Sequence, residues 1–288
     1  MTHENTATRT RRIIHRTAGQ GHDGITRLMS PGDIGELVKP FVFLDHFQFD
    51  DPRGPGMAVH PHSGIATHST LLEGAFTYAD STGKSGRLEP QSVEWMQAGG
   101  GVWHGGCAQE GKPVRGFQLW IALPPPLENA PAESHYVNAS DVPCDGRVRL
   151  LLGTYDGLRS SIPYHVPLTY LHVRLKNGES WRYQPPTGHD VAWLAVSLGA
   201  LNVAGTVLRR EMAVFEAGNR GIDVVADGDT EFVLGSAVKH PHPLVLGYYS
   251  VHTSPDALAA GEAGIQRIAK SVSPAALSRQ IAIEHERH

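Results

Sequence analysis

Cysteine is almost missing from this chain. Cys107 and Cys144 are the only two among 288 residues, which excludes a disulfide scaffold and makes a reducing cytoplasm the default compartment. Positive charge is not in surplus: 25 Lys and Arg stand against 29 Asp and Glu, a formal net charge of −4. Without a basic block, the composition offers no footprint for nucleic acid or an anionic membrane. The opening MTHENTATRTRRIIHRTAGQG lacks the apolar core of a signal peptide. An uncharged run from Val191 to Leu208 is long enough to weigh as a bilayer span, yet its centre, Ser197 to Asn202, reads as a hairpin between two buried strands. Three catalytic spellings are also absent, G-x-S-x-G, the P-loop and H-E-x-x-H, so templates built on a nucleophile elbow, a phosphate cradle or a zincin helix fail.

What the chain does have is glycine and proline, 32 and 20 of them. They separate short β-type runs: 41–47, 67–72, 92–96, 117–122, 147–152, 168–175, 191–197, 203–208, 222–226, 231–234 and 244–251. That spacing predicts antiparallel sandwiches or barrels and not alternating βαβ units. Asp-Gly at 156 and 227 and Asn-Gly at 177 read as hairpin turns. Length favours two domains. The proline cluster from Pro124 to Pro131, which no central strand could contain, marks the boundary, with one domain over 1–135 and a second over 141–288. Helices are expected only late, where Ser254-Pro255 and Ser273-Pro274 each place an N-cap hydroxyl before a proline at the first helical position, the second fraying toward His288.

Chemistry concentrates in HPHSGIATHSTLLEG, from His60 to Gly74, and in EWMQAGGGVWHGG, from Glu94 to Gly106. In a strand, His60 and His62 project to one face. His104 follows Gly99 to Gly101, where the backbone can turn tightly and return a third imidazole to the first two. Three imidazoles with open coordination positions describe a catalytic metal site better than a closed structural one. His68 shares strand parity with His60 and His62 and is a candidate ligand, acid/base group or outer partner. Glu94 is a carboxylate near the His104 turn, and Cys107 reads as a small buried side chain. A second H-x-H, His240-Pro241-His242, lacks a later glycine-turn histidine and reads as structural, as does His46 beside Asp45; His165, His172 and His189 form no usable spacing.

These motifs, with PFVFLDHF from Pro40, GFQLWIALP from Gly116 and PLVLGYYSVHTSPDAL from Pro243, resemble the pirin family, a branch of the bicupins. The resemblance implies an all-β chain of two tandem antiparallel barrel or jelly-roll domains with short C-terminal helices, and iron in the first barrel only. It implies His60, His62 and His104 as ligands, with a glutamate two residues beyond the last; here that position is Gly106, and the other glutamate position common in cupin motifs is Ala66. A site of three neutral imidazoles keeps the full +2 charge of a divalent ion. Near 4 Å and an effective dielectric of about 20, one unit of charge is worth roughly 4 kcal/mol, so such a site should hold an anionic substrate oxygen more firmly.

The expectation is a metal-dependent dioxygenase similar to quercetin 2,3-dioxygenase, acting with O2 on a flavonol or other enolisable aromatic. Fe(2+) is the first choice of ion, with Ni, Co, Mn, Cu or Zn also suited to imidazole. The alternative from another class is a non-catalytic or redox-sensing metal-binding protein that regulates a partner. A monomer is the default, since two fused cupin domains can satisfy each other within one chain.

Overall fold

The β-branched and aromatic runs form antiparallel strands throughout. The computed structural model describes residues 10–51 and 57–287; Met1 to Arg9, the glycine- and proline-rich approach over 52–56 and His288 lie outside the described residues. No described helix is long and apolar enough to cross a membrane.

The chain forms two compact units that each combine two segments, residues up to Gly19 with Pro143–Lys239, and Gln20–Val142 with His240 onward. This division differs in its termini from the linear one at 135/141. Strand Ile13–Thr17 pairs with Met212–Phe215, covering an edge of the later sheet. At the other end, Ser250 bridges Ser63, joining the C-terminal segment to the earlier barrel.

In the unit that holds the histidine motif, a seven-stranded sheet runs in the order Glu133–Val137, Val93–Gln97, Ile65–Glu73, Val114–Ala122, Phe41–Phe49, Ile25–Met29 and Gln20–His22. A four-stranded sheet is ordered Met57–His62, Val102–Ala108, Phe76–Asp80 and Ser85–Leu88. Helices Pro255–Ser271 and Pro274–Glu286 close the chain, capped as expected: Ser254 and Ser273 accept from Ala257 N and Ala276 N at 3.2 and 3.1 Å. A further short helix, Ile34–Val38, was not signalled by the sequence pattern; its cap is Asp33, whose carboxylate accepts from Ile34 N.

The other unit is one ten-stranded sheet around Leu150, Leu171, Leu194, Phe232 and Leu234. Here the expected turns are partly wrong. Ser197–Asn202 is not a hairpin; Val191–Val203 is one strand, and the reversal comes at Ala204 and Gly205, at φ +52° and +81°, before Thr206–Leu208. Gly199 marks bulges instead, with Thr230 Oγ1 accepting from Ala200 N at 3.2 Å and donating to Ala200 O at 2.8 Å, so the disturbed ladder stays satisfied. Asp227-Gly228 likewise lies within the long strand Ile222–Ala237. Asn177-Gly178 is a turn but not a hairpin, because Leu168–Leu175 and Ser180–Tyr183 pair with successive parts of Ile222–Ala237 and not with each other. Only Asp156-Gly157 closes a hairpin, Val148–Tyr155 with Leu158–Arg159. In the C-terminal segment the run 244–251 divides into Val245–Gly247 and Ser250–His252 around Tyr248 and Tyr249.

Candidate metal centre

His60 and His62 lie on Met57–His62, and antiparallel pairing with Val102–Ala108 sets His104 directly opposite His60. The glycine run brings the chain round to that register. Gly99 sits at φ +51° and Gly101 at +139°, and a Cβ on Gly99 would stand 2.1 Å from Ala130 O. The three imidazoles converge: one nitrogen of each lies within 4.8 Å of the others, the one such group among the described residues.

The outer nitrogens decide what the inner ones can be. His60 Nδ1 donates to Ala58 O at 2.8 Å and His62 Nδ1 to Tyr249 O at 2.9 Å, while His104 Nδ1 faces Glu94 Oε1 at 3.4 Å. Carbonyl and carboxylate oxygens only accept, so in the neutral rings each Nδ1 carries the proton and each Nε2 presents a lone pair. Yet His60 Nε2 lies 3.0 Å from His62 Nε2 and 3.2 Å from His104 Nε2. Three facing lone pairs repel, and a cation at their focus removes the conflict. Nitrogens at about 2.1 Å from an ion are separated by about 3.0 Å on adjacent octahedral positions and about 3.4 Å on a tetrahedron. The distances from His60 Nε2 to its two neighbours fall in this range, so the three residues would suit one divalent ion.

At neutral pH His60 and His62 stay unprotonated on the facing nitrogens. Burial, and then the neighbouring His104, push His60 down to about 4. Burial, followed by His60 and His104, holds His62 well below the ordinary imidazole value. For groups lowered in the folded state, stability present above the ordinary value of 6.5 is lost as pH falls toward about 4. Protons compete for these nitrogens over the same window. Chelator competition at stepwise lower pH should therefore show metal held at pH 5.5 and released as pH drops through about 4; release already complete at pH 6 would contradict the arrangement.

The other nominated residues fall elsewhere. His68 is fully buried, with Nδ1 3.2 Å from Thr70 Oγ1, and it is not part of the converging group. Glu94 stands behind His104 and not among the Nε2 atoms; burial alone would raise its pKa, but His104, Ser69 and nearby His68 carry it below the usual carboxylate range. Cys107 is buried, its thiol pushed up by burial, as befits an inert side chain. Ala66 is a core residue. Asp45 pairs with Arg27, and His46 packs against Phe117 with ring centroids 4.8 Å apart. His240 and His242 stack edge to face at 5.2 Å, apart from the group.

Several contributors carry no local sequence signal. Tyr249 serves through its backbone carbonyl and holds φ +55° to do so. Beside His62, Ser63 Oγ lies 2.9 Å from His252 Nε2, whose Nδ1 is 3.3 Å from Glu128 Oε2. That trio has the composition of a nucleophile triad, but Ser63 and His252 are buried under Gly261, where an added Cβ would meet Ser63 Oγ at 2.6 Å. It fastens the C-terminal segment next to the histidines.

A polar row crosses the seven-stranded sheet through register partners Arg27, Asp45, Gln118, Ser69, Glu94 and Tyr136. Asp45, Gln118, Ser69 and Glu94 form one side of a 630 Å³ chamber whose other walls include Phe47, Phe49, Leu71, Phe76 and Leu88. Its lining includes Glu94, on the Nδ1 side of His104, and Gly105, next to His104 in the chain. Gln118 Nε2 is buried there with no partner among the described residues.

Comparison with known proteins agrees with this geometry. Residues 24–121 match the family described as Pirin. A pirin-like protein of Caulobacter vibrioides is 32% identical over 220 residues, 71% of this chain and 76% of that protein. Among solved structures, a quercetin 2,3-dioxygenase from Acinetobacter baumannii superposes with a TM-score of 0.82 at 22% identity, covering 91% of this chain and 98% of the other. A bacterial pirin of Escherichia coli in complex with nickel(II) does so at 0.62 and 18%, covering 80% and 98%. At such identities these two show the fold alone, that of a bicupin.

Proposed function

The chain belongs to the pirin family, and from that premise we propose that it is a metal-dependent dioxygenase of quercetin 2,3-dioxygenase type, with His60, His62 and His104 as the metal ligands. The observation that carries this reading is the convergence of three imidazole nitrogens within 4.8 Å of one another, with His60 Nε2 3.0 Å from His62 Nε2 and 3.2 Å from His104 Nε2, each ring fixed by an acceptor on its far side. A nickel-bound bacterial pirin and a quercetin 2,3-dioxygenase of the same fold support it. Fe(2+) is our first choice of ion. A divalent ion held by the three imidazoles would supply Lewis acidity to an enol or phenol.

The chain's own residues recognise and orient. A volume of 630 Å³ with aromatic and aliphatic walls suits a flat ring system of drug size. Along the polar row, the carboxylate of Asp45 accepts from a substrate hydroxyl, and Gln118 Nε2 donates to a substrate carbonyl. A buried amide N–H left without an acceptor costs about 1–3 kcal/mol, which a carbonyl-bearing substrate would recover. Hydroxylated aromatic ketones of the flavonol class meet each of these demands.

Anaerobic titration of the iron-loaded protein with quercetin, followed by admission of oxygen, tests the reading. The expected results are a shift in the quercetin absorption on binding and then oxygen uptake. Retained metal with neither response, repeated with nickel and cobalt, would overturn the dioxygenase and leave a metal-binding interaction protein.

A further inference from the structure

In this structure the neighbours of position 106 leave no room for a side chain. A Cβ there would stand 2.0 Å from Phe76 Cε1 and 2.5 Å from Thr77 O, so ring and backbone already occupy the space through which a side chain would reach the histidines. Among the described residues, the carboxylate that pairs with the converging group is Glu94. It comes from the facing seven-stranded sheet, not from the strands that bear the histidines. It is 5% exposed, and both of its oxygens are committed: Oε1 lies 3.4 Å from His104 Nδ1, and Oε2 accepts from Ser69 Oγ at 2.6 Å. Ser69 is its register partner on the next strand, so the carboxylate is held at a fixed angle to the ring.

From this placement we infer that Glu94 is the positioning residue of the metal centre, fixing His104 from behind and supplying the negative charge that position 106 cannot. The inference rests on the three-histidine reading above. A carboxylate at Nδ1 holds the proton on that nitrogen, aims the Nε2 lone pair at the focus and makes the imidazole a stronger donor. His60 and His62 have neutral carbonyls in the corresponding place, so His104 is the ligand whose donor strength depends on a charge. The formal charge of the buried assembly of ion, imidazoles and Glu94 is then +1, the value a directly bound carboxylate would have given, but with no coordination position used.

Glu94→Gln separates charge from shape, because the amide oxygen can still accept from His104 Nδ1 while the charge is gone. Cobalt(II) affinity by chelator competition, the visible spectrum of the cobalt form and the Fe(III)/Fe(II) potential are compared with the parent and with Glu94→Ala. The expected result is a 10- to 100-fold loss of cobalt affinity in Glu94→Gln with an unchanged melting profile of the apoprotein, a shifted cobalt spectrum and a more positive iron potential. Glu94→Ala should lose more. A merely structural carboxylate would leave spectrum and potential where they were, since the amide keeps the packing. Parent-like affinity, spectrum and potential in Glu94→Gln would overturn the inference while leaving the three-histidine site intact. Failure of the parent itself to bind cobalt would instead sink the reading beneath it. If Glu94→Gln does not fold, Ser69→Ala, which frees one oxygen and retains the charge, should keep the potential within that of the parent; a potential moved as far as in Glu94→Ala would contradict the charge-based account.

Discussion

His62→Ala abolishes metal retention. Affinity for cobalt(II) or nickel(II) falls by more than about 100-fold, beyond the 10- to 100-fold typical of losing an outer partner, and oxygen uptake with quercetin goes with it. The effect is large because His62 is wholly buried and sits 3.0 Å from His60 Nε2, so no neighbouring side chain can swing into its place. Its loss also strands the Tyr249 carbonyl that accepts from Nδ1. Metal content after dialysis against a weak chelator measures this directly. His68→Ala, outside the converging group, keeps its metal in the same assay. Equal loss in both variants would mean that the histidines matter for folding and not for ligation.

Gly106→Glu, which restores the carboxylate of the family pattern, does not strengthen the site; it destabilises the unit that contains it. Forcing a Cβ to within 2.0 Å of a ring carbon and 2.5 Å of a main-chain oxygen moves the Phe76–Asp80 strand. Overpacking alone costs about 1–3 kcal/mol, and a buried carboxylate without a partner adds to it, for a total of about 3 kcal/mol or more. In a unit of this size the melting transition should drop by roughly 6–12 °C. A variant that melts with the parent and binds metal more tightly would show that Phe76 yields, and that the missing ligand is a matter of sequence alone.

Much of the centre could be read from the chain because it rests on short-range rules. The period of two put His60 and His62 on one face, and the positive-φ glycines announced the turn that returns His104. What lay beyond reach was set by register between distant strands. Glu94 drew notice as a carboxylate near a histidine turn, but its place at Nδ1 follows from the opposition of two sheets. The absence of a glutamate at 106 was visible, whereas the reason, a Phe76 ring thirty residues earlier, was not. The Tyr249 carbonyl is backbone, which any residue type could supply. Turn signals misled where glycine makes a bulge: Gly199 and Gly228 have the φ of hairpin residues, yet each lies inside a long strand whose ladder resumes beyond it. Nothing local tells that Ile13–Thr17 pairs with a strand some two hundred residues later.

Anomalous scattering at the metal edge, from crystals of protein purified without chelator, bears most directly on the account. It should reveal a single ion about 2.1 Å from Nε2 of His60, His62 and His104, with Glu94 behind the last ring and not on the metal. An ion bound elsewhere, or a focus without density while His104 turns its Nε2 away, would contradict it.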